Sequence, residues 1–375
     1  MRSLIVLCLG AAVLGAGTGA AWPQRATTQK QVPLATTPAN KADANAWTVG
    51  LAGGLLEGTF IRYAADIAKV LDDGDNLRVI PLVTYGAVGN VNDLLYLKGV
   101  DAAITQADVL DHFKKELNVP RIDERVHYIS PLFHSEVHVC ARPEFKTLKD
   151  LEGKKVNFNT RGSAANLTGQ IVFRRLNINV EPLFLNNSVA VERMRKGEIS
   201  AVVHVVGKPN ELFVNMKAEP PCRLLPVPYD QVFADFYLPT VLKREDYPAL
   251  IPASEEVPTI AVPTVLAVFN WAKNSERYPK VAKFIEAFFT KFEQLHNPPY
   301  QPKWKEINLA AKVPGWTRYP VAEAALAKLA GPDQTAQARS QFETFLNSRG
   351  GRREAPLTPQ EREALFNEFL KWQRR

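Results

Sequence analysis

The stretch VGLAGGLLEGTFIRYAADIAKVL, residues 49–71, decides the architecture. An apolar run beginning at Trp47 reads as a strand over 47–51, and a glycine-rich turn follows. Residues 59–71 then read as a helix, because Ile61, Ala64, Ala65, Ala68 and Leu71 recur on one helical face. Working outward, a second strand is expected over 77–83. A second helix follows over 88–98 through Val91, Leu94 and Leu95, stopped by Gly99, and a third strand over 100–105. Strands alternating with helices imply a parallel sheet with short crossovers.

The same grammar returns later. Strands are expected over 155–159, 181–185 and 199–206, with helices over 166–176 and from a Ser188 cap to Lys196, where Gly197 stops it. The echo reaches single residues: Lys98-Gly99-Val100-Asp101-Ala102-Ala103-Ile104 parallels Lys196-Gly197-Glu198-Ile199-Ser200-Ala201-Val202. Two similar α/β lobes are therefore expected. Residues 133–142 cross outward, and the apolar strand TIAVPTVLAVFN, 259–270, returns. This assigns 47–134 with 265–320 to lobe 1 and 135–264 to lobe 2. Residues 321–375 form a helical C-terminal extension, in which Thr358-Pro359-Gln360-Glu361 is a capping box before a Leu365, Phe366, Phe369, Leu370, Trp372 stripe.

The N-terminus sets the compartment. Met1-Arg2-Ser3 is a basic start, 4–14 an apolar run, and Thr18-Gly19-Ala20-Ala21 a small-residue cleavage site, so 1–21 reads as a signal peptide and the mature chain as periplasmic. The apolar run falls short of the ~20 residues a spanning helix requires. Residues 22–46 read as a disordered spacer. Cys8 leaves with the signal; Cys140 and Cys222 remain, either as a disulfide or as two separate buried thiols. The net charge of +7 is scattered without interleaved aromatics, which argues against nucleic acid as a partner and leaves small anions.

In open sheets ligands sit beyond the carboxyl ends of strands, so the strand-end loops supply the candidate site. The first is Gly50-x-x-Gly53-Gly54-x-x-x-Gly58-Thr59, where bare amides at Gly53 and Gly54 either meet an anion or form a tight turn. Thr59 replaces a P-loop lysine, and G-x-G-x-x-G is absent, so it is not a nucleotide loop. The second lobe's counterpart runs from Asn159 to Asn166: Arg161 would hold a carboxylate bidentately beside Gly162, with Ser163 and Asn166 donating hydrogen bonds. Other strand ends offer Tyr85 and Asn90, Gln106 and Asp108, and Gly207 and Lys208. The alternation His134-x-Glu136-x-His138-x-Cys140 puts four potential metal ligands on one strand face, but a polar crossing strand explains it as well and no metal is assigned. His112, His127, His204 and His296 read as structural. No G-x-S-x-G, H-E-x-x-H or C-x-x-C is present, which favours binding over catalysis.

Five stretches together carry a family resemblance: VGLAGGLLEGTFIRYAADIAKVL, VDAAITQADVL, LKDLEGKKVNFNTRGSAANLT, RKGEISAVVHVVGKP and EEVPTIAVPTVLAVF. The chain resembles the TAXI solute-binding proteins that serve tripartite ATP-independent periplasmic (TRAP) transporters. The resemblance implies a periplasmic-binding-protein (Venus-flytrap) clamshell, monomeric and cofactor-free. It would deliver organic acids, dicarboxylates or amino acids to an integral-membrane TRAP permease. It marks Gly53, Gly54, Tyr85, Gln106, Arg161, Gly162, Ser163 and Gly207 as cleft positions. Two departures stand out: LLEG is inserted at 55–58, and Ala164-Ala165 replaces the Gly-Thr that follows Gly-Ser in the family. The alternatives are a clamshell enzyme, which needs a lysine or cysteine in the cleft, and a sensory ligand-binding subunit.

Overall fold

The computed structural model describes residues 45–74, 76–216, 222–330 and 342. The segments read from sequence as a signal peptide and most of the spacer, Cys8, and the stretch read as a capping box with a final helix lie outside the described residues. Lobe 1 opens with β1 (Thr48–Gly54), α1 (Thr59–Leu71), β2 (Arg78–Val83), α2 (Ala87–Tyr96), β3 (Ala102–Gln106) and α3 (Ala107–Lys115). The long β4 (Val126–Ala141) leads into lobe 2. There β5 (Lys155–Asn157) is followed by a π-helical turn, Ala165–Gly169, running into α4 (Gln170–Arg175). Next come β6 (Glu181–Leu183), α5 (Asn187–Arg195), β7 (Ala201–Val206), β8 (Arg223–Leu224) and β9 (Leu238–Leu242). The chain returns through β10 (Val257–Phe269) to α6 (Arg277–Lys291) and α7 (Pro320–Ala330).

The strand order β2-β1-β3-β10-β4-β7-β5-β6 exposes the relation between the lobes. Within each lobe the chain runs second, first, third: β2-β1-β3 on one side and β6-β5-β7 on the other, with parallel pairing between β1 and its neighbours and between β5 and its neighbours. Two antiparallel strands interrupt this pattern. The first part of β4 pairs with β10 inside lobe 1, and its second part, Glu136 to Ala141, pairs with β7 inside lobe 2. The expected parallel sheet is thus two parallel halves on either side of an antiparallel pair, making a two-lobed α/β clamshell.

Where β4 and β10 pass between lobes their register slips, between Pro263 and Val265 and again between Leu266 and Ala267. Pro131 and Pro263 sit in this passage and bring no N–H to the ladder. Side chains repair the gap: Thr264 Oγ1 donates to the Phe133 carbonyl at 2.6 Å, and Thr259 Oγ1 to the Val137 carbonyl at 2.6 Å. Strands weakened in this way bend more readily than an unbroken ladder.

The C-terminal elements complete lobe 1. Asp101, 1 % exposed, accepts from Gly50 N, Lys280 Nζ (2.8 Å) and Arg277 (3.3 Å), fastening α6 to the sheet. Trp304 is fully buried, packs against Tyr63 with ring centroids 4.5 Å apart and planes tilted by 39°, and donates its indole N–H to Asp66 at 2.9 Å. Helix α7, at the start of the stretch read from sequence as a helical C-terminal extension, buries Ala322 and Ala325 in the same core. In lobe 2 a smaller core gathers Ala190, Met194, Phe213 and Tyr247 around Cys140 and Cys222, which are joined. The bridge has a Cα–Cα separation of 5.4 Å and a sequence separation of 82. Closing a loop of that length is worth about 4 kcal/mol. Reduction, or Cys140→Ser with Cys222→Ser, should lower the free energy of urea unfolding by roughly that amount; an unchanged midpoint would show that the bridge does not constrain the unfolded chain.

Candidate functional site

The carboxyl ends of β1, β2, β5 and β7 face one another across the lobes. The cavity between them is lined by Gly54, Leu55, Gly58, Thr59 and Phe60 from the β1–α1 turn and by Tyr85, Gly86 and Ala87 from the β2–α2 turn. Lobe 2 adds Asn159, Ser163, Ala164 and Ala165 from the β5 loop and His204, Val205 and Val206 from β7. None of these side chains carries a formal charge, His204 being neutral at pH 7. The cavity measures about 30 Å³, against the ~300–1,000 Å³ typical of small-molecule pockets. The space as it stands is too small to hold an organic molecule.

The lobes meet through neutral hydrogen bonds. Buried Thr59, at the first position of α1, accepts from Gly207 N at 3.1 Å. Gly207 must be small there, since a Cβ would lie 3.0 Å from the Phe133 ring. The start of α2 has no side-chain cap; its Val88 and Gly89 N–H groups donate to the Gly162 carbonyl of lobe 2 at 3.0 and 3.1 Å. Gly86, which precedes α2 with φ 106°, lets that turn come within van der Waals contact of Ser163. Three charged pairs also bridge the lobes, Arg62–Glu211 at 2.6 Å, Arg174–Glu116 at 2.9 Å and Lys303–Glu136 at 2.5 Å.

Of the residues singled out from sequence, Gly54, Tyr85 and Ser163 line the cavity. Gly162 and Gly207 form its interlobe bonds, and Asn166 braces the loop: its Oδ1 accepts from Gly162 N and its own N–H donates to Ser163 Oγ, both at 3.2 Å. Gly53 packs against the α1 backbone at Ile61. Fully buried Asn90 ties strands together, donating to the Ile104 carbonyl at 2.6 Å and accepting from Thr84 Oγ1. Gln106 and Asp108 lie outside the lining, in a buried interlobe cluster where Thr168 Oγ1 donates to Asp108 at 2.7 Å and contacts Gln106 Oε1 at 3.2 Å, while Tyr237 OH donates to Asp108 at 3.0 Å. Burial pushes the Asp108 carboxyl above the usual carboxylate range, against those hydrogen bonds. Neither expected cation faces the cavity. Exposed Arg161 stacks on Phe184, 4.0 Å from the ring centroid, and Lys208 Nζ binds Asp246 at 2.9 Å and the Val241 carbonyl at 2.7 Å.

The alternating strand face at 134–140 has other duties. Cys140 is in the disulfide, His138 engages Tyr247 OH at 2.7 Å and the Glu136 carbonyl at 2.9 Å, and Glu136 accepts from Lys208 N and Lys303. Among the described residues no cluster of three or more His, Cys, Asp or Glu is arranged for a metal. His204, which sequence reasoning read as structural, is 4 % exposed, belongs to the cavity wall and leaves both ring nitrogens without a partner. The available signal was its position three residues before the Gly207 strand end.

Burial holds the His204 imidazole down at about 4 and its cross-strand neighbour His138 at about 3. Both are neutral in the folded chain above those values, whereas the unfolded chain takes up protons from ~6.5 downward. Stability from these groups is complete above pH 6.5 and is lost as the pH falls. For His204 the loss reaches about 3 kcal/mol by pH 4. His204→Gln should therefore flatten the decline of the urea midpoint between pH 7 and 4.5 while His138 continues to contribute. Equal pH slopes for the two proteins would refute this.

No curated protein matches the chain. Solved structures with some likeness include the periplasmic binding protein BugD, at 13% identity over 78% of this chain and 97% of that one with a TM-score of 0.45. An ancestral arginine-binding protein bound to arginine shows 18% identity, 67% and 96% coverage and a TM-score of 0.41. The alkanesulfonate-binding protein SsuA from Xanthomonas axonopodis pv. citri, bound to MOPS, shows 10% identity, 80% and 94% coverage and a TM-score of 0.38. The model of the NMT1-like family matches residues 51–326, from within β1 to within α7 and so across both walls of the cavity. The chain belongs to the NMT1-like family.

Proposed function

We propose that this chain is a solute-binding protein that closes its two lobes over a small organic anion, a carboxylate or amino-acid-like molecule, and performs no covalent chemistry. The observation that carries this reading is the cavity on which two helix starts of lobe 1 and the β5 loop and β7 end of lobe 2 converge, in lobes that the chain connects through β4 and β10. Bending at the Pro131 and Pro263 passage would open it, and the Thr59–Gly207 and Gly162–α2 bonds would re-form on closure. The cavity wall has no lysine or cysteine, the groups that an enzyme of this shape would use as nucleophile.

With Arg161 and Lys208 engaged elsewhere, the anion would be held by neutral donors. Ser163 is the best placed, because its oxygen accepts from Asn166 N and its O–H remains to donate. Tyr85, 66 % exposed, supplies an aromatic wall and a second hydroxyl. The segment over 1–21 would export the chain to the periplasm, where as a monomer it would deliver its ligand to a TRAP-type permease. No helix among the described residues is long and apolar enough to cross a membrane.

A thermal-shift screen against organic acids and amino acids tests the reading. Ligand at a hundred times its dissociation constant should add ~2.7 kcal/mol of stability. Ser163→Ala should weaken the best hit by about 1 kcal/mol, one hydrogen bond's worth. A flat response to every compound would overturn the proposal.

A further inference from the structure

The inserted LLEG turn carries an acid flanked in the chain by residues that line the cavity. Glu57 stands between the lining residues Leu55 and Gly58, and its carboxylate leaves lobe 1. Oε1 accepts from Asn159 Nδ2 at 3.3 Å, and Oε2 from Ser188 Oγ at 3.2 Å. Its main-chain carbonyl accepts from Asn210 Nδ2 at 3.2 Å.

These donors come from the ends of β5, β6 and β7, and local backbone bonds orient each of them. Asn159, 1 % exposed and with φ 57°, has its Oδ1 taken by Thr160 N at 2.7 Å, which points the amide nitrogen outward. Asn210 spends its Oδ1 capping Leu212 N at 3.0 Å. Ser188, expected from sequence to cap α5, does not; Asn186 does, accepting from Ser188 N at 2.9 Å, and the serine hydroxyl is left to donate. A convergent set of oriented neutral donors is an anion-recognition arrangement, and here the chain supplies the anion.

On the reading of the cleft as an organic-acid site, we propose that Glu57 sets the charge class of the ligand. It occupies the lobe-2 donors that a second carboxylate would use and places a negative charge beside that position. The cleft accepts acids with one carboxylate and rejects dicarboxylates.

Isothermal titration of the full chain with pairs of equal carbon number, butyrate against succinate and valerate against glutarate, tests this. The wild type should bind the monoacid at least about tenfold more tightly than its diacid partner, since like charges side by side oppose binding. Glu57→Ala frees the donors, and Glu57→Gln keeps the shape while removing the charge. Both should reduce the preference by about tenfold or more, through tighter diacid binding. Equal affinities in the wild type, or an unchanged ratio in both variants, would overturn the inference and leave the organic-acid reading standing. Failure of all three proteins to bind any acid, with unfolding midpoints showing them folded, would remove the organic-acid reading and this inference with it.

Discussion

The antiparallel pairing of β4 with β10 is the constraint on which everything else depends. Both strands belong to both lobes, so one ladder sets where the lobes sit and where they can move. Its weak point coincides with the passage from one lobe to the other, where two prolines withhold donors and the register slips. Threonine hydroxyls replace part of what is missing without stiffening the backbone. Glu136 adds a local brace: burial raises its carboxyl while Lys303 and the Lys208 amide hold it from opposite lobes. An ionised group in so dry a place costs free energy unless paired, so its partners keep the lobes registered as well as attached.

The cavity wall itself is polar without being charged. Neutral bonds between the lobes such as Thr59–Gly207 contribute about 1 kcal/mol each, beside the buried Lys303–Glu136 pair that fastens them outside the cavity wall. The bridging pair Arg62–Glu211 is exposed enough to be screened by solvent.

Much of the fold was legible in the sequence because it rests on periodicity. The strand–turn–helix unit at 49–71, the Lys-Gly echo at 98 and 196, and the two apolar crossings each correspond to elements at those places. The antiparallel middle of the sheet was not legible, since apolar runs do not declare strand direction. The site was harder for the same reason. Loop positions such as Tyr85 and Ser163 follow from topology, but side-chain engagement depends on partners distant in sequence. Lys208 is neutralised by Asp246, Arg161 is stacked on Phe184, and Asn186 displaces Ser188 as helix cap. His204 went unrecognised because an apolar strand conceals which of its residues meets a cavity.

The strand order also dictates a sequence of events during synthesis. Lobe 2 is built from one uninterrupted stretch between the crossing in β4 and the return in β10, and its disulfide closes wholly inside that stretch. Lobe 1 is assembled from two pieces separated by all of lobe 2, and its sheet stays unfinished until β10 and α6 arrive. A chain emerging from its amino end therefore completes its inner lobe first. The outer lobe, rich in contacts between distant residues, closes last and more slowly, leaving the β3 edge unpaired until β10 covers it.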